Sequence, residues 1–181
     1  MSGTLSQDMK TFVATPEPPD LGPGPRPGVE PEAALNKRLS EAFRSLKVPS
    51  QRQELIRALI LLWHDHFDAA HKIAQDIENP DGSFVHAILH RREPDYWNSK
   101  YWFRRVGKHP VFGEMANRVR ELLDSKPGDA LRAKLLDRGS WDPCAFVDLC
   151  EQASRTDEHK PLLREIQAIE TSSLLEFFSE P

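Results

Sequence analysis

Apolar residues recur along most of the chain at steps of three and four, the spacing that lines one face of an α-helix. Leu35, Leu39, Phe43 and Leu46 mark a first helix over residues 33–46, entered after Pro31 and ended before Pro49. A second helix, residues 50–78, carries two apolar stripes side by side. One runs Ile56, Ile60, Trp63, Phe67, Ala70, Ala74, Ile77; the other runs Leu55, Leu59, Leu62, His66, Ala69, Ile73. Two adjacent stripes mean packing on more than one side. Ser50 and Gln53 read as a capping box at its start, and Asn79-Pro80-Asp81-Gly82 as the turn at its end.

Further helices are predicted over residues 84–93, capped by Asp81 or Ser83, and over residues 96–106, capped by Asp95 and stopped by Gly107. Residues 112–125 form another, broken by Lys126-Pro127-Gly128-Asp129. A short one lies around Leu131, Leu135 and Leu136, one opens at Asp142-Pro143, and the last covers residues 161–178. No stretch alternates with the period of a half-buried strand. The predicted fold is all-α, built on an antiparallel hairpin of the second and third helices.

Composition changes this picture at the N-terminus. Residues 1–31 hold Pro16, Pro18, Pro19, Pro23, Pro25, Pro27 and Pro31 with few apolar side chains, so they are expected to form a disordered arm before a helical domain over residues 32–181. No apolar run approaches the ~20 residues of a membrane span, and no secretory signal is evident. Cys144 and Cys150 lie on different sides of their helix, which argues against a mutual disulfide and for a cytoplasmic address. The net charge of −4 makes nucleic acid an unfavoured partner.

Candidate chemistry concentrates in residues 63–113, which hold six of the seven histidines. On the second helix His64, Asp68, His71 and Gln75 form a polar stripe; on the third, His86, His90 and Glu93 form another. Folding the hairpin about positions 80 and 81 sets Gln75 level with His86, His71 with His90, and Asp68 with Glu93. Histidines and carboxylates on facing helices are how bundles build metal sites. His71, His86 and His90 are therefore candidate ligands of a divalent metal, and His71, His90, Asp68 and Glu93 candidate catalytic groups. His86 lacks the following Glu of a His-Glu-x-x-His protease, since Ala87 stands there. The competing reading is a buried polar network in which these groups satisfy one another.

The next stretch is basic and aromatic. Arg91, Arg92, Asn98, Tyr101, Arg104 and Arg105 are candidate ligand-binding residues for a small anion, since guanidinium forks grip carboxylate or phosphate and aromatic faces stack on rings. Trp97, Tyr101 and Phe103 can equally be core, with the arginines in salt bridges. The run HAILHRREPDYWNSKYWFRRVGKHPVF, residues 86–112, resembles a signature of an uncharacterised family of small bacterial and fungal helical proteins. The resemblance covers residues 61–112 and carries no catalytic residue or cofactor across; it implies that this stretch is the working part. Two functions are thus expected from the sequence. One is a pocket that binds, and hydrolyses or isomerises, a small anionic ligand with or without a metal. The other is a non-catalytic module that presents its aromatic and basic surface to a protein partner.

Overall fold

The structure, a computed structural model that describes residues 5–126, 129–137 and 139–180, is a succession of helices: α1 Leu5–Lys10, α2 Glu32–Leu46, α3 Ser50–Trp63, α4 Phe67–Ala74, α5 Pro80–Arg92, α6 Tyr96–Val106, α7 Val111–Asp124, α8 Asp129–Leu135, α9 Pro143–Thr156 and α10 Lys160–Ser179. A 3-10 turn, Thr11–Val13, follows α1. The all-α class is as predicted, with one small addition. Between α8 and α9, β1 Leu136–Asp137 pairs antiparallel with β2 Ser140–Trp141. Residues 1–4 of the expected arm, Pro127 and Gly128 of the expected break, and Pro181 lie outside the described residues.

Local signals account for most boundaries. Asp142 accepts the Ala145 N–H at 3.0 Å and Pro143 occupies the first turn of α9. Asp95 accepts the Asn98 N–H to start α6, and Gly107 ends it at φ +63°. Two caps differ from expectation. α5 is capped by Asn79, whose Oδ1 accepts the Gly82 N–H at 2.8 Å, with Pro80 next, so the helix begins four residues earlier than predicted. Its first turn lies so close to the end of the preceding segment that a Cβ on Gly82 would stand 2.2 Å from the Ile77 carbonyl oxygen. No capping box forms at Ser50. Pro49 precedes α3 without a side-chain cap, and Gln53 donates instead to the Val48 carbonyl at 2.7 Å.

The core is assembled on α3, α5 and α10. α3 is buried from Ala58 to Trp63, and α5 from Gly82 to Arg92. α3 packs against α2, α4, α5 and α10; α5 packs against α3, α4 and α6. Phe84 holds the lower end together, edge-to-face with Phe103, His109 and Phe112 at 5.3–5.5 Å. No helix among the described residues is long and apolar enough to cross a membrane.

The long second helix expected over residues 50–78 is broken. α3 stops at Trp63, Asp65 takes φ +65°, and α4 runs only from Phe67 to Ala74. Hydrophobic periodicity continues through the break, so the stripes alone do not reveal it. Side chains at the break hold the N-terminal segment instead. The buried Asp65 carboxylate accepts from the Arg26 backbone N–H and Nη1, both at 2.9 Å, and from Arg92 Nη2 at 2.6 Å. Glu30 N–H donates to His64 Nδ1 at 3.1 Å, which leaves His64 Nε2–H to donate to the Phe12 carbonyl at 2.7 Å. His66 Nε2 meets the Glu30 carbonyl at 2.8 Å.

Residues 5–31 are therefore not a free arm: they lie across the helical body. Met9, Phe12 and Leu21 are buried. Trp63 Nε1 donates to Thr15 Oγ1, and Gln167 donates to the carbonyls of Pro19 and Asp20. Prolines suit such a strap, because their fixed φ reduces the entropy lost on ordering and they bring carbonyls but no N–H to satisfy. The expectation of disorder counted apolar residues within the segment; it could not count hydrogen-bond donors supplied by α3, α5 and α10.

This arrangement makes stability sensitive to acid. Burial lowers the pKa of His64, with the Phe12 carbonyl and Glu30 opposing and Arg26 and His66 assisting. A histidine held neutral in the fold and free to protonate when unfolded loses stability as pH falls below about 6.5. The melting temperature should drop between pH 7 and 5, and the His64→Gln variant, whose amide can replace Nε2–H, should show a shallower drop. Asp65→Ala, which leaves buried Arg92 without its carboxylate, should cost about 3–5 kcal/mol by urea denaturation.

Candidate functional site

α4 and α5 lie against each other across the turn at residues 75–79, and this contact gathers three histidines. His71 sits in the middle of α4. His86 and His90 stand one turn apart on α5 and therefore share a face. Ring centroids are 4.8 Å apart for His71 and His86, 5.4 Å for His71 and His90, and 4.7 Å for His86 and His90. One ring nitrogen from each can be chosen so that all three lie within 4.8 Å of one another.

α6 supplies the wall of this cluster. Ser99 Oγ donates to the Ala87 carbonyl at 2.7 Å and fixes α6 along α5. Trp102 stacks on the His86 ring at 4.0 Å, and Asn98 Nδ2 donates to His90 Nε2 at 3.2 Å. Glu93 Oε2 stands 3.2 Å from His90 Nδ1, in ion-pairing range but out of line for a hydrogen bond.

The polar groups of the cluster are under-satisfied. Both His86 ring nitrogens and His90 Nδ1 are buried without a hydrogen-bond partner. Such atoms are costly in a folded protein and call for a ligand or ion. Burial pushes the His86 pKa down to about 4, with the neighbouring His90 and His71 adding to the shift. Burial likewise lowers that of His90, against the pull of Glu93 and Asp95. Burial thus favours the uncharged form of His86 and His90, the form of imidazole that binds metal.

The other predicted residues separate into three groups. Asp68 and Gln75 are exposed, and among the described residues Asp68 makes no hydrogen bond or ion pair, so the expected carboxylate from α4 does not join the histidines. Arg91 and Arg92 do not form an anion clamp. They point away from the face of His86 and His90, because successive helical residues turn by about 100°. Arg91 is fully buried, pairs with Glu170 and lies over Phe146 at 4.5 Å. Arg92 binds Asp65 and lies over Phe67 at 4.8 Å; burial lowers its pKa to about 10 despite that carboxylate, and it stays charged at neutral pH. Asn98, Tyr101 and Arg105 do lie on the α6 side of the cluster or its outer face, whereas Arg104, one turn from Lys100, is turned toward Cys144 of α9.

Sequence reasoning missed Trp102, although a signal existed. Folding the chain back about Pro94 sets position 86 level with 102 and position 90 level with 98, the two contacts observed. It also missed the pair of buried His109 and half-buried Asp81, joined at 2.8 Å between α5 and the start of α7.

The division of the arginines is testable. Arg91→Ala should destabilise the fold by about 3–5 kcal/mol because Glu170 is left buried and unpaired, whereas Arg105→Ala should change stability by no more than about 0.5 kcal/mol; chemical denaturation of the two variants measures both. Comparison with known proteins adds no relative to set beside this geometry: no protein-family model, no curated protein and no solved structure matches the chain.

Proposed function

We propose that this protein binds a divalent metal ion at His71, His86 and His90 and uses it to hold a small anionic ligand. The observation that carries the reading is the convergence of three imidazoles of which His86, at both ring nitrogens, and His90, at Nδ1, are buried without a hydrogen-bond partner. Buried ring nitrogens in a structural network are usually paired, and here three are not. A tetrahedral zinc centre spaces its nitrogen ligands roughly 3.4 Å apart, so the rings need to close by on the order of an ångström.

Three protein ligands leave a fourth position for water or an anion, which is the pattern of catalytic sites and not of closed structural ones. An ion so placed polarises a bound carboxylate or phosphate group and lowers the pKa of bound water. Hydrolysis of a small phosphorylated or carboxylated compound is the reaction class this chemistry favours. For His90 to offer Nδ1 to a metal its Nε2 must carry the proton, so the Asn98 amide would turn to accept that N–H through Oδ1 and, with Glu93, orient the ring from outside the ligand set. The free thiols Cys144 and Cys150, the latter buried with its pKa raised to about 12, suit a reducing compartment such as the cytoplasm.

Metal content of the dialysed, untagged protein tests the reading. Close to one zinc, manganese or iron per chain is expected. His71→Ala is the cleanest variant, because His71 is only partly buried on a short helix; it should lose the metal and keep its circular-dichroism spectrum. Asn98→Ala should weaken metal binding by roughly 10–100-fold, the usual effect of removing a ligand's outer partner. A wild-type chain that stays metal-free after incubation with zinc sinks the proposal.

A further inference from the structure

The outer face of α6 is not used by the fold. Trp97 is 74 % exposed and Tyr101 40 %, the two large apolar side chains left in solvent among the described residues. They follow one turn apart, and their rings lie nearly parallel, 11° between planes, at 6.3 Å. Tyr101 abuts Trp102 edge-on at 5.5 Å, and Trp102 covers His86. On the other flank Asn98, the neighbour of Trp97, bonds His90. The aromatic shelf is thus continuous with the histidine cluster through two side chains.

The shelf is also charged. The Arg105 guanidinium lies over Trp102 at 5.2 Å and over Tyr101 at 6.0 Å. Among the described residues Arg105 pairs with no carboxylate, although Lys100 on the opposite flank of the helix is paired with Asp148. A guanidinium held over aromatic rings and left without a counter-ion is set to meet an anion beside a stacked ring.

We infer that this face is a ring-binding subsite of the same centre, and that the ligand is a small anion carrying a planar ring, a nucleoside monophosphate being the simplest such compound. The inference rests on the metal reading above and narrows it. The phosphate would reach the metal and Arg105 while the base stacks on Trp97 or Tyr101. Exposed aromatic rings carry the ring preference because every base has a π-face to offer.

The test is a calorimetric titration of the full-length, zinc-loaded protein with adenosine monophosphate, ribose 5-phosphate and adenosine. Adenosine monophosphate should bind about tenfold or more tightly than ribose 5-phosphate, as one base stack contributes. Trp97→Ala should remove that difference with zinc content unchanged, and Arg105→Gln should weaken the nucleotide but not adenosine. Equal binding of nucleotide and ribose 5-phosphate by a protein that holds zinc overturns the subsite and leaves the metal centre standing. A protein that holds no zinc brings down the metal reading and this inference with it. An oligothymidylate bound more tightly than the mononucleotide would make the face a surface for single-stranded nucleic acid and overturn the small-ligand assignment.

Discussion

One buried carboxylate organises this molecule. Asp65 sits at the point where α3 would run on into α4, in a left-handed conformation that Asp tolerates better than most side chains. Its two oxygens are shared between Arg26 of the N-terminal strap and Arg92 of α5. Burial alone would raise its pKa, but the two guanidiniums hold it below the ordinary value, so it stays ionised. From that charge follow the break in the helix, the docking of the strap, and the anchoring of the C-terminal end of α5.

The break has consequences for the site. A continuous helix over residues 50–78 would have kept His64, Asp68, His71 and Gln75 in one line. The interruption detaches the first of these, and His64 and His66 turn to the strap. Only His71 remains to meet α5. The candidate site is therefore smaller than two facing polar stripes would make it, three histidines without a carboxylate among the converging atoms.

Helix α5 is buried almost throughout yet carries four cationic or ionisable side chains among its last seven residues. They are sorted by helical angle. Arg91 and Arg92 face inward, to Glu170 and Asp65, where buried carboxylates and aromatic faces offset desolvation. His86 and His90 face α4 and α6, where the compensation is incomplete. The imbalance between these two faces of one helix separates structural charge from candidate chemistry, and the exposed Arg105 of α6 falls on the same side as the histidines.

Much of this is written locally. The helix periods, the Asp95, Asp142 and Pro143 starts and the Gly107 stop depend on a few neighbouring residues, and so does the meeting of His71 with His90 across a short turn; each could be read from spacing because an α-helix has a fixed rise and twist. The same arithmetic about Pro94 contained the Trp102 and Asn98 contacts. What the chain did not show along its length was which distant group answers each charge. Arg91 waits for Glu170, Arg92 for Asp65, and the carbonyls of Pro19 and Asp20 for Gln167. Those pairings turn an apparent disordered arm into a packed strap and two expected ligand-binding arginines into core supports. Sequence by itself determined most of the helices, though neither α1 nor the break between α3 and α4, and the clustering of histidines, because these are short-range and periodic. Tertiary structure decided which polar groups are spent on the fold and which stay free, because a buried charge can be satisfied by any part of the chain that folding brings to it.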